Sequence, residues 1–155
     1  MRVHIGCDHA GLDTKKFLMA VLTERGHQVV DHGPFEYDAV DDYPPFCLAT
    51  GAGVVADPGS FGIVLGGSGN GEQIAANKVD GVRAALVWSA EIATLAREHN
   101  DANVISVGSR MHADAEVLAF IEVFLATPFS GDDRHVRRIG QLAEYERTGE
   151  VPPTA

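Results

Sequence analysis

The chain has little of what marks several large protein classes. Its two cysteines, Cys7 and Cys47, lie in apolar surroundings without a CxxC or zinc-like spacing, which argues against a disulfide framework and for a reduced, cytoplasmic setting. No apolar run approaches the roughly 20 residues of a membrane span. The opening MRVHIGCDHAG already carries charged or polar residues at positions 2, 4 and 8, so neither a membrane protein nor a targeting segment is expected. Basic residues are scarce: 12 Lys and Arg against 22 Asp and Glu leave a net charge of −10. That balance repels nucleic acid and anionic membranes, and confines any anion site to a local basic cluster. The seven histidines are scattered, with no H-E-x-x-H and no H-x-H, so no metal is expected and no cofactor is required.

Glycine, by contrast, is plentiful. Seventeen in 155 residues are too many for a helical bundle and too irregular for a fibre, so they belong at turns between short elements. The length suits a single domain over residues 1–155. Short apolar or β-branched runs at Val3 to Cys7, Gln28 to Val30, Phe61 to Leu65, Ala84 to Trp88 and Val104 to Val107 predict five strands. Helical patterns alternate with them: Leu12 to Arg25, one after Tyr43-Pro44-Pro45, one near Gly71 or Glu72, one from Ser89, His112 to Ala126, and a last one at about 132–147. The tail VPPTA is expected to fray. Apolar strands separated by helices imply a parallel sheet covered on both faces, an α/β, Rossmann-like three-layer αβα sandwich with a five-stranded sheet. Ligands of such sheets lie at the carboxyl ends of the strands, so chemistry is sought in CDHAG, GGSGNGE, SAEIATLAREHN and GSRMH. The stretch Gly33 to Asp42 carries little pattern and is expected to be a surface loop.

The densest signal is GGSGNGE, where Gly66, Gly67, Gly69 and Gly71 join an apolar strand to a helix start. Backbone amides of such a loop form an anion or oxyanion cradle, although a plain tight turn has the same look. Neither G-x-G-x-x-G nor G-x-x-x-x-G-K-[ST] is present, and Asn70 breaks G-x-S-x-G, so dinucleotide, triphosphate and hydrolase readings lose support. Glu72 is a general-base candidate if desolvation raises its pKa; alternatively it complements the helix dipole. Ser68 is a nucleophile, a donor or a turn residue. Asp8 and His9 close the first strand, where they either polarise a hydroxyl and bind phosphate or cap a helix. His99 and Asn100 end a helix, and Arg110 follows the last strand as an anion ligand or a solvated turn residue. Arg134, His135 and Arg138 share one side of the last helix, a basic cluster suited to phosphate or else a solvated face paired with acids such as Asp132.

Together, CDHAG, DDYPPFC, GIVLGGSGNGEQIAANK, REHN, GSRMH and RHVRR resemble, in order and over about positions 3–147, the type B ribose-5-phosphate isomerase family, which includes galactose-6-phosphate isomerase subunits. The resemblance implies a metal-independent aldose-ketose isomerase with no cofactor. It implies a sugar phosphate as substrate, and a homodimer or dimer of dimers with active sites drawn from two subunits. Asp8 and His99 would open the sugar ring, His99 coming from the neighbouring subunit. Ser68 and the amides of Gly69, Asn70 and Gly71 would hold the enediolate oxygen, with Gly67 in the same cradle. Glu72 would shuttle the proton between C2 and C1. His9, Arg110, Arg134 and Arg138 would hold the phosphate, with His135 and Asn100 nearby. Many members carry a cysteine base where this sequence has Ser68, which resembles the branch in which the glutamate four residues later transfers the proton. Serine is itself a poor base. A six-carbon aldose phosphate isomerase, acting on allose or galactose 6-phosphate, is the nearest alternative. A non-enzymatic nucleotide or flavin module is another, and a receiver domain fails for want of an Asp where Gly66 and Gly67 stand.

Overall fold

The computed structural model describes residues 1–153; the last two residues of the tail lie outside them. Five strands form one parallel sheet: β1 (Arg2–Cys7), β2 (Gln28–Asp31), β3 (Phe61–Gly66), β4 (Ala84–Leu86) and β5 (Val104–Gly108), in the order β2-β1-β3-β5-β4. The helices are α1 (Leu12–Glu24), α2 (Tyr43–Ala56), α3 (Asn70–Ala76), α4 (Ala90–Asn100), α5 (Asp114–Ala126) and α6 (Asp133–Thr148). This is the α/β sandwich expected from the alternation of apolar strands and helices.

Strand periodicity sorts the layers. Val3, Ile5 and Cys7 of β1 pair in register with Phe61, Ile63 and Leu65 of β3, and Ile63 and Leu65 with Ile105 and Val107 of β5. This set packs against Leu18 and Leu22 of α1 and against Ile121 and Phe124 of α5. The intervening positions face the other way, where Val64 and Val104 meet Cys47 and Val54 of α2 and Ala75 and Ala76 of α3. Cys7 and Cys47 are both free and buried, as expected of core residues. Because both sheet faces are covered, the strands read as apolar runs rather than alternating ones.

Element boundaries differ modestly from the sequence expectation. The fourth strand ends at Leu86, although Val87 N still donates to Ser106 O at 2.9 Å; beyond it the chain turns toward Ser89, whose hydroxyl caps α4 through Ile92 N. Helix α3 starts at Asn70, ahead of Gly71, because Gly69 takes a positive φ of 82° that closes the turn early; glycine adopts it without strain. Helix α6 leaves the sandwich. Of its residues only His135 is buried, while Val136, Leu142 and Tyr145 are exposed. Among the described residues no helix is long and apolar enough to cross a membrane.

Candidate active site

The carboxyl ends of β1, β3 and β5 are tied together by backbone hydrogen bonds. Asp8 N donates to Leu65 O at 3.2 Å, Ser109 N to Gly66 O at 2.8 Å and Arg110 N to Gly67 O at 3.2 Å. In this strand order the chain leaves in opposite directions from neighbouring β1 and β3, the switch point where α/β sheets open a ligand crevice. Three expected segments therefore converge: Asp8 and His9, Gly67 to Glu72, and Arg110.

Glu72 is 4% exposed. Its carboxyl lies directly against Gly66, at a spot that a Cβ on Gly66 would overlap. Burial raises its pKa above the ordinary value of 4.5 and the Asp8 carboxylate adds to the rise, while hydrogen bonds from the backbone amides of Glu72 and Gly69 oppose it. Beside it the glycine loop is packed too closely for side chains. A Cβ on Gly69 would stand 2.8 Å from Leu86 Cδ1, and one on Gly71 would stand 2.7 Å from Tyr43 Cζ. Ser106 Oγ fixes the loop by donating to Gly69 O at 2.7 Å. Ser68 is exposed, and its Oγ accepts from Asn70 Nδ2 at 3.1 Å.

Asp8 is both a cap and a site residue. One carboxylate oxygen accepts from Ala10 N at 2.8 Å and Gly11 N at 3.2 Å, so the capping alternative raised for it is realised, and it also fixes the carboxylate at the crevice. His9 is held by the first residue of the DDYPPFC segment, to which no role was assigned from the sequence. Asp41 Oδ1 accepts from His9 N at 3.0 Å and lies 2.6 Å from His9 Nδ1. The end of the expected surface loop thus turns inward. Buried Lys15 anchors the root of that loop, donating to Asp31 Oδ1 and Pro34 O, both at 2.7 Å, and Tyr37 sets its ring edge-on to His9 at 6.2 Å. The Asp41 side chain is 9% exposed, and its second oxygen, Oδ2, is buried without a partner. An unsatisfied buried acceptor costs about 1–3 kcal/mol, more when charged. Among the described residues Asp8, His9 and Asp41 are the one group whose donor atoms, all within 4.8 Å of one another, suit a metal ion.

The remaining expected residues gather elsewhere. Helix α4 starts at the carboxyl end of the sheet and runs back along it; its 11 residues carry the chain about 16 Å. Its end meets the segment just before β4, where Arg83 Nε donates to Asn100 O at 2.9 Å. His99 and Asn100 thus sit at the opposite end of the sheet from Glu72. The start of α6 joins them: the His99 and His135 rings are 4.4 Å apart, and Ser130, whose N donates to Glu98 O at 3.1 Å, has its Oγ 2.8 Å from His135 Nδ1. Loss of water lowers the His135 pKa, and the neighbouring His99, Arg134 and Arg138 act in the same direction. Arg134 and Arg138 are exposed. Arg134 Nη2 lies 3.7 Å from Asp132 Oδ2, the solvated pairing that had been the alternative for this helix, and at that distance and exposure it is a weak contact. Within one chain the expected site is therefore two half-sites. One is acidic and glycine-rich; the other holds two histidines and two exposed arginines.

A family model for ribose/galactose isomerases matches residues 3–142. Ribose-5-phosphate isomerase B of Mycolicibacterium paratuberculosis is 60% identical over 153 residues, spanning 99% of this chain and 96% of that protein. Its namesake from Mycobacterium leprae is 57% identical over the same share of this chain and 94% of its own. Among solved structures, ribose-5-phosphate isomerase B from Mycoplasma genitalium with bound ribulose-5-phosphate is similar at a TM-score of 0.90 and 42% identity, covering 95% of this chain and 97% of that one. The corresponding structure from Clostridium thermocellum also gives 0.90, at 37% identity, covering 97% of this chain and all of that one (100%).

Proposed function

The chain belongs to the ribose/galactose isomerase family, and on that premise we propose that it interconverts ribose 5-phosphate and ribulose 5-phosphate through an enediolate. The observation that carries the reading is the Glu72 carboxyl, buried, raised in pKa and set beside a cradle of backbone amides. Moving a proton between adjacent carbons needs one base that reaches both and donors for the oxyanion. Glu72 takes the proton from one carbon and returns it to the other. Ser68 and the amides of Asn70 and Gly71 hold the developing oxyanion, with Gly67 in the same cradle, while the Gly69 amide donates to the Glu72 carboxyl.

Ring opening and phosphate binding need the other half-site, and the enzyme works as a homodimer or a dimer of dimers. Asp8 of one copy and His99 of the other open the furanose ring. His9 and Arg110 share the phosphate with Arg134 and Arg138 of the second copy, with Asn100 and His135 at the margin. Two features support this assembly. Val136, Leu142 and Tyr145 of α6 are exposed in the single chain, and a groove of about 640 Å³ opens between β4, α4 and α6, lined by Ile92, Leu95, Asn100, Leu142 and Tyr145. Phosphate binding energy then serves to position C1 and C2. The described residues, 1–153, are read as a single domain, and the two buried free thiols suit a cytoplasmic enzyme.

The test is turnover of ribose 5-phosphate by wild type, Glu72→Gln and Ser68→Ala in the presence of EDTA, with allose 6-phosphate as comparator. The expected outcome is activity on the pentose, loss of at least about a thousandfold in Glu72→Gln, and a much smaller loss in Ser68→Ala. Inactivity on both sugars would overturn the reading. Equal damage from the two substitutions would overturn the division of roles.

A further inference from the structure

The loop from Gly33 to Asp42 delivers one buried carboxylate to the crevice, and the mechanism above leaves it unused. Asp38 shapes the turn before it: its Oδ1 accepts from Val40 N at 3.1 Å and its carbonyl from Asp41 N at 3.2 Å. Asp41 then grips His9 at two points, the backbone N at 3.0 Å and the ring Nδ1 at 2.6 Å. An ionised carboxylate only accepts, so the Nδ1 proton points at Asp41, and the ring donates to an anion through its other nitrogen when that nitrogen is protonated as well. The nitrogen left for a ligand is Nε2.

We propose that Asp41 is a positioning residue for the substrate's phosphate: by accepting from Nδ1 it fixes the plane of the His9 ring, and with both ring nitrogens protonated the imidazolium presents Nε2–H to the anion. The proposal rests on the assignment of His9 to the phosphate. A charge-assisted, short hydrogen bond orients a ring more tightly than a water would, and an imidazole free to rotate loses part of its donor strength to ordering entropy. The competing role for Asp41 is purely architectural, pinning the loop through the His9 backbone amide, and that contact survives removal of the imidazole.

A double-mutant cycle separates the two. KM and kcat for ribose 5-phosphate, and the inhibition constant of inorganic phosphate, are measured for wild type, Asp41→Ala, His9→Ala and the double variant. The expected result is that Asp41→Ala raises KM and the phosphate inhibition constant together, by roughly tenfold, with kcat changed by less than about twofold, and that this penalty vanishes in the His9→Ala background. A penalty that persists undiminished without the imidazole, or an unchanged phosphate constant in Asp41→Ala, overturns the proposal. If His9→Ala itself leaves the phosphate constant unchanged, the assignment of His9 fails and takes the proposal with it. Should Asp41→Ala not fold, Asp41→Asn serves in the same cycle. It keeps an acceptor oxygen but lacks the charge, and is expected to give a smaller rise that again disappears with His9→Ala.

Discussion

At the scale of single residues, the account turns on which group carries the proton. In the proposed mechanism Glu72 is the base and works only when ionised, so kcat/KM is expected to fall as pH drops through its raised pKa. The first cause of that rise is burial and the second is Asp8. Asp8→Asn removes the added negative charge while burial stays, so the acid limb of the profile is expected to move to lower pH, on top of a lower maximum; a limb that stays put or moves up would contradict the coupling. The cysteines give a complementary test. Burial pushes the Cys7 thiol to about 12 and raises that of Cys47 as well, so neither forms a thiolate near neutrality. Iodoacetamide is expected to leave the native enzyme active, and stoichiometric inactivation would put a cysteine back into the mechanism. Asp8 and Glu72 were legible in the sequence because they flank strand ends and a glycine loop. Asp41 stood in the sequence only as the first residue of DDYPPFC; its contact with His9 was not legible, since the two lie 32 residues apart and only tertiary packing turns the loop inward.

At the scale of elements, the strands and most helices were legible because both faces of the sheet are covered and hydrophobicity alone marks each strand. The edge strand β4 is shorter than its apolar run suggests, as its last residues already serve the turn into α4. The strand-to-helix junction from β3 to α3 has a stricter requirement than its glycine count conveys. Gly66 is buried inside the sheet and faces the Glu72 carboxyl with no room for a methyl group. Gly66→Ala is expected to displace Glu72 and lower kcat by at least about a hundredfold while the protein remains folded by circular dichroism. Near-normal turnover in that variant would show that the carboxylate does not need its observed place. Sequence could rank Gly66 among four glycines, but only the packed side chain distinguishes a glycine needed for clearance from one needed for a turn.

At the scale of the whole molecule, the helix direction decides what one chain can do. Because α4 runs antiparallel to the strands, His99 is carried away from the end of the sheet where Asp8 and Glu72 lie. The sequence order of the motifs gives no hint of that separation; it follows from the crossover itself. Helix α6 leaves Val136, Leu142 and Tyr145 exposed on a molecule of charge −10, and the proposed twofold arrangement would bring the arginines of each α6 to the acidic half-site of the other copy. The most direct measurement is complementation between two inactive variants. Glu72→Gln and His99→Ala are purified separately, mixed after mild dissociation, reassociated, and assayed on ribose 5-phosphate. Hybrid dimers would contain one site with both residues intact, so activity is expected to return to about a quarter of the wild-type value at equal mixing. If the subunits exchange and no activity returns, Glu72 and His99 act within the same chain, and the shared-site account is wrong.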